Sequence, residues 1–217
     1  MTDLTVVKGL IIKVEPIGEY DRRLVILTDD RGKISAFAKG ARKTSSKLVA
    51  ATNLFCFGEF YLFNGRNSYS VNDAKITNFF SFLRDDFMSA YYGMYFAEIT
   101  DYYCRENLND KEMLTLIYQS LRALESKRFD NRLIRACFEI KAVSLQGEFG
   151  GVKDNATYES DTLYALDYII KTPAAKLYSF SVKENILNEL ISIGRDTVRY
   201  SIDSPLKSAE ILDSLQQ

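Results

Sequence analysis

The chain has 217 residues, of which 47% are hydrophobic and 13% aromatic, enough for one large or two small domains with a filled core. Its formal net charge is −1 and it contains no histidine, so it lacks the commonest general base and metal ligand. It has neither a signal-peptide pattern at its start nor a run of 18 apolar residues, and its three cysteines are isolated, so we expect a cytoplasmic protein with free thiols and no membrane span.

The first 80 residues predict short β-strands with turn signals between them. The predicted strands are Thr5–Val14, Arg22–Thr28, Lys33–Ala38, Phe55–Phe63 and Tyr69–Ile76. Between the third and the fourth strand, Ser45–Thr52 has room for one helical turn. Five strands with a short helix after the third is the layout of an OB-fold, a small barrel.

Beyond residue 80, apolar residues recur at the spacing of amphipathic helices. The predicted helices are Asp85–Glu106, Asp110–Leu124, Leu133–Leu145, Ile186–Ile193 and Pro205–Leu215. The third should end at Gly147, and Ser181 with Glu184 forms a capping box before the fourth. The pattern therefore predicts an α+β protein, with a five-stranded OB-fold barrel over residues 1–80 followed by an all-helical domain over residues 81–217.

The fourth predicted strand reads FCFGEFYLF and is apolar on both faces. One interpretation is a surface on which nucleic-acid bases stack. We favour burial on both faces, because a strand without a polar face is typical of a covered sheet. One face would then fill the barrel and the other would contact the helical domain.

A basic run from Arg31 to Lys47 contains six cations and no acidic residue. The cations are Arg31, Lys33, Lys39, Arg42, Lys43 and Lys47. Residues 1–80 hold 12 Lys and Arg against 8 Asp and Glu, a net charge of +4, whereas the rest of the chain carries −5. A local cationic surface of this kind suits a phosphate backbone, because it displaces the condensed counterions. A solvated, mobile loop that is basic by chance is the alternative.

Neighbouring residues extend the possible surface. Arg22 and Arg23 lie beside the second strand, and Arg66 lies in the last hairpin of the predicted barrel. Tyr20 is near enough in sequence to offer a ring on which a base could stack.

No catalytic or phosphate-cradling motif is present. The sequence contains no Cys-x-x-Cys pair, no GxxxxGK[ST] loop and no GxGxxG loop. The acidic pairs Asp29/Asp30 and Asp85/Asp86 fall at a predicted turn and a predicted helix start, where such residues are structural. We therefore expect no enzyme and no cofactor; an enzyme that uses carboxylates alone is the weakest hypothesis.

Short motifs follow one another in a specific order over the first third of the chain. They are Gly9, the motif Gly18-Glu19-x-Asp21, Thr28 and Gly32 around a turn, and Lys39-Gly40-x-Arg42 followed by Ser45 or Ser46. Looser matches are Gly58-Glu59, Leu83-Arg84-Asp85, Phe138-Glu139 before Gly147, and Leu206-Lys207-Ser208. In this order and spacing the chain resembles the RecO family of bacterial DNA repair and recombination mediators. Many members carry a four-cysteine zinc module, but the corresponding stretch here, residues 148–171, has no cysteine, so we expect no metal site.

The resemblance implies a nucleoid-associated protein that binds single- and double-stranded DNA, anneals strands, and assists RecA loading with RecR and single-stranded DNA-binding protein. The residues expected to bind DNA are Lys33, Lys39, Arg42, Lys43 and Lys47, with Arg22 and Arg23 as helpers. Arg132, Arg135 and Lys141 are weak candidates for the acidic tail of single-stranded DNA-binding protein; a solvated helix face is the alternative. A protein–protein adaptor, whose basic loop meets an acidic partner, is the rival function.

Overall fold

The computed structural model describes residues 4–65, 68–152 and 158–215. These residues form two compact units. The first comprises the described residues up to Ser81 together with Tyr103–Leu114, and the second comprises Phe82–Tyr102 and the described residues from Thr115 onward.

The first unit is built on a closed five-stranded barrel. Its strands are β1 (Leu4–Ile17), β2 (Asp21–Thr28), β3 (Lys33–Ala38), β4 (Phe57–Asn64) and β5 (Tyr69–Asn78), and the short helix α1 (Leu48–Ala51) lies between β3 and β4. The strands neighbour one another in the order β1, β2, β3, β5, β4, and β4 closes the barrel on β1. Only β3 and β5 pair in parallel. The predicted OB-fold barrel is confirmed.

Alternation along the strands separates the core from the outer surface. In β3, Ile34, Ala36 and Ala38 are buried, while Lys33, Ser35 and Phe37 are half-buried on the other face. The buried residues belong to the barrel core, which also contains Leu24 and Ile26 of β2. The two-residue period of a strand therefore places the cation of β3, Lys33, outside the barrel.

The aromatic segment departs from the prediction at its start and on its outer face. Phe55 has a φ of +66° and belongs to the turn before β4, so the strand begins at Phe57. Phe60 and Leu62 fill the barrel core. On the outer face Phe57, Tyr61 and Phe63 are half-buried and Glu59 is exposed, so the prediction of burial on both faces is wrong.

A second segment, Tyr103–Leu114, packs against the β2–β3 hairpin within the first unit. The backbone N–H of Lys33 donates to the Arg105 carbonyl at 3.1 Å, and that of Asn107 donates to the Arg31 carbonyl at 2.9 Å. Gly32 sits at this contact with a φ of +63°, and a Cβ there would lie 2.1 Å from the Arg105 carbonyl oxygen. The hairpin turn therefore requires glycine both for its conformation and for the close approach.

The second unit is helical. Its helices are α2 (Phe87–Tyr103), α3 (Lys111–Ser126), α4 (Asn131–Leu145), α5 (Ser160–Lys171), α6 (Glu184–Ser201) and α7 (Lys207–Leu215), the ends of α2 and α3 reaching into the first unit. Gly147, with a φ of +74°, follows α4 as predicted. The predicted capping box is wrong: the N-cap of α6 is Lys183, without a side-chain cap, and α6 runs well beyond the predicted Ile193. Helix α5 was not predicted.

Helix α4 forms the centre of the second unit, since every residue from Leu133 to Val143 is buried. Its Phe138 ring stacks on Phe96 of α2 with centroids 4.3 Å apart. Within the described ranges, no helix is both long enough and apolar enough to cross a membrane.

Candidate nucleic-acid interface

Two segments that are distant in sequence meet at one end of the barrel. The β2–β3 ladder pairs Arg22 with Ala38, so the turn before β2 lies beside the loop after β3. The turn comprises residues 18–20 and the loop residues 39–47. Gly18 in the turn and Gly40 in the loop have φ values of +54° and +64°. These left-handed conformations, which glycine adopts without strain, allow a sharp reversal of the chain in each segment.

The loop is held to the barrel by contacts that do not use its cations. The Asp21 carboxylate accepts a hydrogen bond from the Gly40 N–H at 2.7 Å. Ala41 is completely buried in the barrel core, and the Arg42 N–H donates to the Tyr20 carbonyl at 2.8 Å. The loop and the turn therefore form one anchored structure.

Three cations project from this structure next to an exposed aromatic ring. Lys39, Arg42 and Lys43 are exposed, and the Lys43 ammonium lies 5.1 Å from the centroid of the Tyr20 ring. Arg42 also donates from Nη1 to the Gly18 carbonyl at 3.3 Å. Among the residues described, none places a carboxylate within ion-pair distance of the three cations. We call Lys39, Arg42, Lys43 and Tyr20 the loop cluster.

Lys47 is also exposed but already has an anionic partner. Its ammonium forms an ion pair with Asp73 of β5 at 2.7 Å. The hydrogen bond from Lys47 lowers the pKa of the Asp73 carboxyl, with a further contribution from the Ala74 N–H. Asp73 therefore stays ionised at neutral pH and competes with any phosphate for Lys47.

Arg22 holds the fold together instead of facing solvent. Its Nη1 donates to the Val49 carbonyl, the Thr52 hydroxyl and the Asn53 amide oxygen at 2.8–3.1 Å. Burial lowers the pKa of Arg22, and repulsion from Arg42 lowers it further. The side chain thus ties β2 to the segment around α1, and this assignment corrects the expectation that Arg22 extends the DNA-binding surface.

Arg23 and Lys33 lie on the outer face of the barrel. Arg23 is exposed, donates from Nε to the Ser35 hydroxyl at 3.1 Å, and lies 3.6 Å from Glu15 of β1. Lys33 is half-buried on the same side of β3 as Ser35. Arg23 pairs with Phe37 near the loop cluster, whereas Lys33 begins β3 at the opposite end of the strand. Arg66 lies outside the described residues.

The three candidates on α4 do not form an exposed cationic groove. Arg132 is 39% exposed at its side chain, where it pairs with Asp130 at 2.7 Å and Glu184 at 2.9 Å. Arg135 is buried and pairs with Glu139 of α4 and Asp213 of α7, both at 2.8 Å. Lys141 is buried and donates to the Ile170 carbonyl at 2.7 Å. Neither the partner-binding interpretation nor the solvated-face alternative fits Arg135 and Lys141, because buried cations are accessible to no partner.

The side chains do not fit the zinc module of the family. Cys56, Cys104 and Cys137 are free, buried and widely separated in sequence. Across residues 4–65, 68–152 and 158–215, no group of three or more Cys, Asp or Glu side chains is arranged to hold a metal ion.

Sequence reasoning missed two acidic residues that shape the interface. Asp21 positions the loop, and Asp73 neutralises Lys47. Asp21 belongs to the Gly-Glu-x-Asp motif, and this membership was the one sequence feature that pointed to a role for it. Nothing local to Asp73 indicates its partner, which is 26 residues away.

Comparison with known proteins agrees with the structure in both halves of the chain. The family model described as Recombination protein O N terminal matches residues 1–80, and Recombination protein O C terminal matches residues 84–149. A DNA repair protein RecO of Acetivibrio thermocellus is 31% identical over 96% of this chain and 94% of its own length. Those of Clostridium novyi and Clostridium acetobutylicum are 28% and 25% identical, each over 97% of this chain and over 94% and 97% of their own lengths. The barrel, the helical unit and these matches together show that the chain belongs to the RecO family of DNA repair proteins.

Proposed function

We propose that the chain is a recombination mediator that binds DNA phosphates through Lys39, Arg42 and Lys43 and anneals complementary strands. Arg23 and Lys47 extend this surface, and Lys33, at the opposite end of β3, would contact a strand that continues along the barrel. The observation that carries the proposal is the loop cluster itself, three exposed cations on an anchored loop with no carboxylate of the described structure in ion-pair distance. Such contacts position a strand without reading its bases, so sequence preference should be weak.

Annealing needs no bond chemistry, and we propose that the chain is not an enzyme. Two complementary strands repel each other through their phosphates, and a cationic surface lowers that repulsion while it raises the local concentration of both strands. The loop cluster supplies the charge, and the contacts of Asp21 and Ala41 anchor the backbone that carries the cations.

The partners are those that family membership suggests. We propose that the chain works with RecR and single-stranded DNA-binding protein during RecA loading, in the cytoplasm at the nucleoid. Of the three candidates on α4, only Arg132 presents an accessible guanidinium for the acidic tail of single-stranded DNA-binding protein. Arg132→Glu should weaken binding of a tail peptide, and unchanged binding would remove this residue from the proposal.

The test of DNA binding is fluorescence anisotropy with a labelled single-stranded oligonucleotide at several salt concentrations. The wild type is compared with a Lys39/Arg42/Lys43→Ala variant. Each phosphate contact contributes about 0.7 to the slope of log affinity against log salt on a single strand, so the slope should fall by about 2. A strand-annealing assay on the same two proteins should show a parallel loss of rate.

A matched control removes the same charge elsewhere. Lys176, Lys183 and Lys207 are exposed residues of the second unit, and their replacement by alanine changes the net charge equally. This control should keep the wild-type slope. If it loses as much as the loop variant, binding depends on net charge alone. If the wild type binds no oligonucleotide even at low salt, the adaptor function replaces the mediator function.

A further inference from the structure

The loop cluster contains one feature that phosphate binding does not use, the ring of Tyr20. This side chain is 43% exposed although its backbone carbonyl is held by the Arg42 N–H. Its neighbour Ile17, at the end of β1, is 41% exposed. The tip of the β1–β2 hairpin therefore presents apolar surface beside the cations of the loop, next to the exposed Glu19.

Hydrogen bonds and a cation–π contact hold Tyr20 close to Arg42 and Lys43. The Tyr20 carbonyl accepts from the Arg42 N–H, the Gly18 carbonyl accepts from the Arg42 guanidinium, and the Lys43 ammonium lies against the Tyr20 ring. The hydrogen bond to Glu19 raises the pKa of the Tyr20 hydroxyl, so the ring is neutral at physiological pH. A neutral ring beside exposed cations offers a flat apolar face to a base and positive charge to the neighbouring phosphates.

We propose that Tyr20 is a stacking platform for an unpaired base and that it makes the loop cluster prefer single-stranded DNA. The proposal rests on the phosphate-binding function of the cluster. Bases stack on aromatic side chains irrespective of sequence, because every base has a π-face. In a duplex each base is already stacked between its neighbours, so Tyr20 gains nothing there, whereas the cations contact both forms of DNA. The β1–β2 loop is also one of the regions through which OB-folds contact oligonucleotides.

The experiment separates the ring from the charge. Affinities of wild type, Tyr20→Ala and Tyr20→Phe are measured for a single strand and for a duplex of equal length, each over a salt series. Base stacking on an aromatic residue corresponds to about 5- to 150-fold in affinity on alanine substitution. We expect Tyr20→Ala to lose affinity in that range for the single strand, with an unchanged salt slope and less than about a twofold change for the duplex. Tyr20→Phe, which keeps the ring, should bind like the wild type.

Two further measurements keep the result unambiguous. Tyr164→Ala, which removes a 76% exposed tyrosine of α5, should bind both forms of DNA like the wild type. An abasic oligonucleotide keeps the phosphates but lacks the bases. The wild type should bind it more weakly than it binds the normal strand. Tyr20→Ala and the wild type should bind the abasic oligonucleotide equally well. This second measurement tests the wild type directly, so it holds even if Tyr20→Ala folds poorly.

The outcomes distinguish the two proposals. If the wild type binds with a steep salt slope but Tyr20→Ala binds the single strand equally well, the stacking platform is refuted while the phosphate-binding surface stands. Equal losses for single strand and duplex would also refute it, because they would assign Tyr20 to positioning the loop. If the wild type binds no DNA at all, both proposals fail together.

Discussion

Replacing Arg135 by alanine should destabilise the helical unit far more than the loss of an exposed helical ion pair would. The guanidinium is 6% exposed, donates to Glu139 and Asp213 at 2.8 Å, and lies 4.8 Å from the Tyr95 ring centroid. Its removal leaves the Glu139 carboxylate, 1% exposed, with a hydrogen bond from the Tyr95 hydroxyl at 2.6 Å but without its cationic partner. An uncompensated buried charge of this kind costs about 3–5 kcal/mol.

The loss should depend on pH in a defined direction. Burial raises the pKa of the Glu139 carboxyl, and Arg135 counteracts that rise. Without Arg135 the folded-state pKa rises further above the unfolded value of about 4.3. Below that value the carboxyl is protonated in both states and the penalty vanishes. The penalty grows as the pH rises toward the folded-state pKa, so the destabilisation is largest at neutral pH.

Urea unfolding followed by helical circular dichroism at pH 4.5 and pH 7.5 measures this loss. Arg132→Ala is the matched control, because Arg132 makes two ion pairs but is 39% exposed, and its removal should cost at most about 1 kcal/mol. Arg135→Met combined with Glu139→Gln should recover most of the loss, since it removes both charges. A loss below 1 kcal/mol, a loss that is independent of pH, or a double variant no more stable than Arg135→Ala would refute the reasoning.

Two further predictions concern the first unit. Asp73→Asn removes the anionic partner of Lys47, so Lys47 becomes available to a phosphate and the salt slope of single-strand binding should steepen by about 0.7. An unchanged slope in the anisotropy titration would show that Lys47 makes no such contact. Gly32→Ala should lower the free energy of unfolding by more than about 2 kcal/mol, because the new Cβ meets the Arg105 carbonyl and φ is +63°. Gly18→Ala, with φ +54° and no atom within 4 Å of the new Cβ, should cost only about 1 kcal/mol in the same thermal or urea unfolding.

The barrel could be predicted from the sequence because its determinants are local. The alternation in β3 and the turn residues between strands are local patterns, and they fix which side chains enter the core. The same alternation indicates the orientation of Arg22. It lies two and four residues before the buried Leu24 and Ile26, so it belongs to their face of β2 and not to the outer face of Arg23.

The buried charges of α4 could not be predicted in this way. Arg135 and Glu139 are four residues apart and predict an ion pair on any helix. Their burial depends on Asp213 in α7 and on the Glu139 contact with Gly194 in α6, which are distant in sequence. The packing of Tyr103–Leu114 against the β2–β3 hairpin could not be predicted for the same reason, because its contacts join residues more than 70 positions apart.

These differences change the expected electrostatics of DNA binding. The sequence offers seven candidate phosphate contacts, which on a single strand would give a salt slope of about 5. The structure assigns Arg22 to the fold and pairs Lys47 with Asp73 and Arg23 with Glu15, while Lys33 is half-buried. Three cations of the loop cluster are then left for strong contacts, and they give a slope of about 2. A measured slope near 2 with a large effect of Tyr20 would mean that stacking supplies much of the affinity, whereas a slope of about 3.5, from five contacts, would mean that the ion pairs of Lys47 and Arg23 open when DNA binds.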